Sequence, residues 1–157
     1  MDASALLDPG IAERLDQIFG QATDSMQALE KRAHDLLPGY NVIVWEGDAA
    51  NFRSRFVSHS AVDVLGHPAE SWISDPEFWP QKVVHQEDLE ETLTNCALAI
   101  AHRSSCDLVF RALTADGRVV WMRDSIRVVV GPRRIATKLR GIMIEIPNEM
   151  ATRRNEA

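Results

Sequence analysis

The sequence predicts an α+β domain built on an antiparallel sheet. Three observations carry that expectation: an N-terminal stretch repeats apolar residues at helical spacing, strand-like regions flank a helical middle, and the last strand is apolar on both faces. The proportions fit one domain, with 157 residues, 45% hydrophobic, 25% charged and a net charge of −6. No run approaches the roughly 20 apolar residues of a bilayer span. The negative charge gives no general attraction to phosphate backbones, so neither a membrane nor nucleic acid is an expected partner. MDASALLDPG at the start carries no basic segment followed by a long apolar run. No leader is therefore expected, and the expected compartment is the cytoplasm.

From Ile11 to Leu36, Ile11, Leu15, Ile18, Ala22, Met26, Leu29, Ala33 and Leu36 recur every three or four positions. This predicts a long amphipathic helix with a possible interruption near Gly20, started by Asp8-Pro9 and stopped by Pro38-Gly39. The period then changes. NVIVWEG and FRSRFVS read as a hairpin around Gly47–Asn51. Residues 59–101 read as short helices punctuated by Pro68, Pro76 and Pro80, then a better helix from Glu87 to Ala101. The segments 105–113, 118–130 and 136–146 return to strands, joined by Ala115-Asp116-Gly117 and Gly131-Pro132.

Alternation assigns faces to those strands. Cys106, Leu108, Phe110 and Ala112 point inward, as do Val120, Met122, Asp124, Ile126 and Val128. Asp124 is a carboxylate on an otherwise apolar face; the favoured reading is a structural salt bridge to an arginine, against a polar spot in a cavity. In the final strand Leu139, Gly141 and Met143 alternate with Ile142, Ile144 and Ile146, so the sheet needs a cover on each side. The N-terminal stripe supplies the second cover, either from its own chain or from a second copy. A homodimer is the preferred expectation, with Leu15, Ile18, Met26, Leu29, Trp121, Ile142 and Ile144 at its interface.

Catalytic signals are sparse. The chain has no G-x-x-x-x-G-K-[ST], G-x-G-x-x-G or G-x-S-x-G run. Cys96 and Cys106 are read as buried thiols, and the five histidines are scattered without metal-ligand spacing. Arg133, Arg134, Lys138 and Arg140 read as a solvated hairpin end, and Arg153-Arg154 as part of a tail.

Several motifs then fall in order: Leu65-Gly66, Asp75-Pro76, Phe78-Trp79, His85 with Asp88, Asp116-Gly117 with Trp121, and Gly141. Over about residues 41–147 this pattern resembles a PAS domain of the subfamily with H-P-D-D and D-G…W motifs. It departs at His67, where an aromatic is usual, at His59, at Gln86-Glu87 and at Glu145-Ile146-Pro147. The resemblance implies a five-stranded antiparallel sheet in the order 2-1-5-4-3, cupping short helices around an internal pocket. It divides the chain into a helical cap (1–38), a sensory domain (39–147) and a tail (148–157).

It also implies a non-catalytic sensory module that binds a small ligand or cofactor and signals through dimerisation and flanking helices to an output protein or domain, in the manner of two-component regulation. His67, Trp79, His85, Phe110, Met122, Asp124 and Met143 are the candidate ligand contacts. The cofactor is not specified: haem would need His67 or His85 as its axial ligand, and without an N-C-R-F-L-Q run a flavin photoadduct is not expected. No metal is expected apart from that iron. The alternatives are a ligand-free protein–protein adaptor and a small α+β enzyme using Asp124 with His67 or His85 as acid and base.

Overall fold

The structure, a computed structural model, describes residues 10–148. The Asp8-Pro9 helix start and the tail from 149 onward lie outside the described residues. The N-terminal stripe forms two helices, α1 (Ile11–Phe19) and α2 (Met26–Leu36). The break falls at Gly20, whose φ of +57° favours glycine. A Cβ there would lie 2.4 Å from the Asp24 carboxylate and 2.8 Å from Arg32. Asp24 accepts from the Gln21 backbone N–H and from Arg32, while Arg32 also donates to the Ile18 carbonyl, closing the open end of α1. The Ser25 hydroxyl caps α2 by accepting from the Ala28 N–H.

The hairpin β1 (Val42–Asp48) and β2 (Ser54–Val57) precedes α3 (Ala61–Leu65) and α4 (Ala69–Ser74). A single π-helical turn, Trp79–Val83, leads to α5 (Gln86–His102). The chain then forms β3 (Cys106–Leu113), β4 (Val119–Val130) and β5 (Ala136–Ile146). All neighbouring strands are antiparallel, in the order β2-β1-β5-β4-β3. This is the expected fold class and sheet order.

The sheet separates two cores. On the inner side Ile43, Trp45, Leu108, Phe110, Met122, Ile126, Leu139 and Met143 meet α3, α4, α5 and the Trp79 turn. On the outer side Val44, Ile142, Ile144 and Ile146 meet α1 and α2 through Ile11, Leu15, Ile18, Phe19, Met26 and Leu29. The second cover is thus the chain's own helical hairpin. Leu15, Ile18, Met26, Leu29, Ile142 and Ile144 are buried within one chain, and Trp121 packs against the same cluster. As folded, these residues are not a surface open to a second copy, because the turn at Gly20 lets both helices lie on their own sheet.

Replacing Leu15, 3% exposed, by Asp puts a charge into that outer core. Leu15→Asp is expected to lower unfolding stability by about 3 kcal/mol. Light scattering should return the wild-type mass; a halved mass with unchanged stability would instead place Leu15 between copies.

Candidate functional site

Asp124 occupies the middle of the inner face because β4 alternates. Its neighbours across the sheet are Leu108 on β3 and Met143 on β5. It is fully buried. The indole Nε1–H of Trp45 donates to Oδ1 at 3.0 Å, while Oδ2 has no hydrogen-bond partner. Trp45 faces Gly141 in the β1–β5 register, and a Cβ on Gly141 would lie 2.2 Å from the indole. The missing side chain at 141 is what lets a strand β1 tryptophan lie over β5 and reach a carboxyl on β4.

Burial pushes the Asp124 carboxyl up to about 8, against the downward pull of the Trp45 hydrogen bond; Asp107 adds to the rise and Arg123 opposes it. Near neutral pH the group is therefore mainly a carboxylic acid, with a proton available to an acceptor. The favoured arginine salt bridge does not form. Arg123 follows from the same alternation onto the other face, where it pairs with Asp107 at 3.0 Å. An indole supplies Asp124 with its hydrogen bond instead.

Aromatic rings surround this spot. Trp79 stacks on Trp45 with centroids 6.3 Å apart and meets Phe110 edge-on at 6.1 Å. Its own Nε1 is buried without a partner. Phe110, Met122 and Met143 are fully buried in the same core, so five of the predicted contacts, Trp79, Phe110, Met122, Asp124 and Met143, share one cluster of side chains.

The two histidines stand apart. His67 Nε2 lies 3.2 Å from the Leu113 carbonyl oxygen, with its ring edge-on to Phe78 at 5.1 Å. His85 caps α5, its Nδ1 accepting from the Glu87 N–H. Neither is hydrogen-bonded to Asp124, so the acid–base pair of the enzyme alternative is not assembled. Each imidazole already has one nitrogen in a structural hydrogen bond, and nothing in their placement favours an axial haem ligand. No group of three or more His, Cys, Asp or Glu among the described residues is placed to hold a metal. The Cys96 thiol is pushed up by burial and the Cys106 thiol to about 12 by the same cause, so neither serves as a nucleophile near neutral pH. Cys106 is only partly buried, less so than expected.

Trp45 was not among the expected site residues, although its inward register opposite Gly141 marks it. The Asp88–Arg111 pair was also missed as a structural clamp. Asp88 receives the Arg111 backbone N–H and two guanidinium hydrogen bonds at 2.7 and 3.0 Å, and the His85 N–H donates to the Arg111 carbonyl. His85 and Asp88 thereby fix the start of α5 to the edge strand β3.

The sequence matches the family described as PAS fold over residues 54–143. Among solved structures, it is similar to the N-terminal domain of a diguanylate cyclase with PAS/PAC sensor from Marinobacter aquaeolei, at 28% identity and a TM-score of 0.62, covering 69% of this chain and 97% of that one. A sensory box histidine kinase/response regulator from Burkholderia thailandensis is similar at 13% identity and a TM-score of 0.61, covering 80% and 90%. The PAS domain of a protein from Colwellia psychrerythraea is similar at 15% identity and a TM-score of 0.62, covering 79% and 99%. These last two are likenesses of fold alone. No curated protein matches the sequence.

Two predictions follow from the Trp45–Asp124 contact. In the folded chain the carboxyl holds its proton up to about 8, whereas the unfolded chain releases it near the ordinary 3.8. Its stabilising contribution is complete below about pH 4, falls as pH rises, and levels off above about pH 8. Urea unfolding at pH 5 and pH 8 should show wild type losing more stability across that interval than Asp124→Asn, which has no titrating group. Equal losses would refute the raised affinity for the proton. Gly141→Ala should lower stability by about 3 kcal/mol and change the fluorescence of the buried indole, since Trp45 must swing away. Retained stability would mean that Trp45 does not lie over Gly141.

Proposed function

The chain belongs to the PAS fold family, and from that membership we propose that it is a sensory, regulatory module that holds a small ligand in its inner core and passes the bound state to an output partner. PAS sensor domains occur in histidine kinases and diguanylate cyclases, and domains of this kind are generally sensory rather than catalytic. The observation that carries the ligand reading is the pair of buried polar groups without partners, Asp124 Oδ2 and Trp79 Nε1, in an aromatic-walled core. One is a protonated acid and the other an indole N–H, so the ligand they suit is small, uncharged and rich in hydrogen-bond acceptors. Phe110, Met122 and Met143 would supply its apolar contacts, with His67 and His85 nearer the helical rim.

In this reading the chain is of the H-P-D-D and D-G…W subfamily, residues 1–38 form the cap, 39–147 the sensor and 148–157 the tail. A ligand that competes for Asp124 loosens Trp45, whose strand β1 also carries Val44 under α2. That gives a path from the inner core to the helical cap. A homodimer belongs to the same proposal, joined by surfaces other than the buried stripe or by exchange of the cap between copies. The output is a kinase, a cyclic-nucleotide enzyme or a transcription partner. No helix among the described residues is long and apolar enough to cross a membrane.

Native mass spectrometry of freshly purified protein, with an absorption spectrum from 300 to 700 nm, tests the proposal. A bound small molecule that is lost in Asp124→Ala, while that variant remains folded, supports it. A flat spectrum and bare mass in every preparation, with no shift in unfolding midpoint across a library of neutral acceptors, would leave the ligand-free adaptor as the better reading.

A further inference from the structure

One face of α5 and the nearby end of the β4–β5 hairpin are left uncovered by the fold. At the helical period, Glu91, Thr94, Leu98 and Ala101 fall on one side of α5, with Glu90 and Ala97 flanking them. All six are exposed, and Leu98, in the middle of the stripe, is 53% exposed. Thr94, Ala97 and Ala101 around it are small, so another surface can approach the helix closely there. The hairpin end extends this surface past the C-terminus of α5. Arg103, which ends the helix, donates from Nε to the Arg134 carbonyl and so fixes the corner Pro132–Arg134 beside it. Arg133 and Arg134 are exposed, and the next residue, Ile135, is 58% exposed. Both arginines have a left-handed φ, +62° and +61°, where glycine would be the easier residue.

Charge is segregated along this face. Glu90 and Glu91 lie on the N-terminal side of Leu98, whereas Arg103, Arg133 and Arg134 lie beyond its C-terminal side. Glu87, further towards the N-terminus, is paired with Arg111, but Glu90, Glu91, Arg133 and Arg134 form no ion pair among the described residues. An acidic end, a small apolar centre and a basic end in line are self-complementary under a two-fold rotation, which lays each end on the opposite charge of the other copy. Antiparallel packing of two α5 helices also sets their dipoles in favourable opposition. A partner of uniform charge would match only half of this face.

We propose that α5 and the hairpin end form an interface with a second copy of this chain. Leu98 packs near the two-fold axis, and Glu90 and Glu91 of each copy meet Arg133 and Arg134 of the other. This rests on the homodimer of the reading above and names its surface, and it does not depend on a ligand at Asp124.

Sedimentation equilibrium of the full chain tests it. Wild type should be a dimer whose dissociation constant rises with sodium chloride, because the end contacts are ion pairs at the protein surface. Glu90→Arg with Glu91→Arg makes both ends basic, and Arg133→Glu with Arg134→Glu makes both acidic. Each double variant should keep the wild-type unfolding midpoint and raise the dissociation constant about tenfold or more. Mixed in equal amounts, the two should recover a dimer within about threefold of the wild-type constant, because every reversed charge then meets its complement. A dimer that persists undiminished in both double variants overturns this surface and leaves the homodimer to another one, such as exchange of the cap. A mixture that stays monomeric overturns it as well. A wild-type chain that is monomeric at every concentration overturns the surface and the homodimer together, without touching the ligand reading.

Discussion

The hydrogen bond from Trp45 to Asp124 constrains the inner half of this molecule. A carboxyl at the centre of an apolar sheet face is costly unless its charge is removed or its oxygens are partnered. Both remedies are used here: burial keeps the proton on, and one indole N–H satisfies one oxygen. The indole can reach that oxygen only because residue 141 is glycine. Three strands are thereby tied through one contact, with β1 giving the donor, β5 the gap and β4 the acceptor. Trp79 stacks on Trp45, so the helical side of the core takes its position from the same contact.

The outer half obeys a different constraint. The alternation that turns Leu139, Gly141 and Met143 inward turns Ile142, Ile144 and Ile146 outward, where they would meet water without a second layer. The helical hairpin supplies that layer. Its turn depends on Gly20, whose positive φ favours glycine and where a side chain would displace the ends of Asp24 and Arg32. Arg32 then joins the two helices by binding both the Ile18 carbonyl and Asp24.

Periodicity made the fold legible: the strands, their faces and the need for two covers could all be read from alternation along β3, β4 and β5. The apolar stripe located the cap but not its owner, because Leu15 and Met26 pack equally well on their own sheet or on another copy's. Only the path of the backbone at Gly20 distinguishes the two. Asp124 was legible as an anomaly, but its partner was not. Arginine was the expected answer because charge pairing is the commonest remedy for a buried carboxylate. The actual partner lies on a distant strand and depends on register, which places Trp45 opposite Gly141. His85 was legible as the residue that caps α5, whereas the pairing of Asp88 with Arg111 was hidden for a similar reason, since it forms only after α5 docks on the edge of β3.

Arg123 and Asp124 are adjacent in sequence, a cation beside a carboxyl that burial keeps protonated, yet strand geometry forbids them from pairing directly. Each side chain emerges on its own face, so each must find partners in a different layer: Asp107 on the outside and Trp45 on the inside. The charges still act on one another through the thin sheet, with Arg123 drawing the Asp124 proton affinity down and Asp107 pushing it up. Neutralising or displacing Asp107 from the outside therefore changes the balance at the inner carboxyl. Conversely, ionisation of Asp124 adds a negative charge behind Arg123. Because both groups stand on consecutive residues of β4, a small shift of that strand would alter both layers together. This is a physical basis for communication between the inner core and the helical cap that requires no residue to span the sheet.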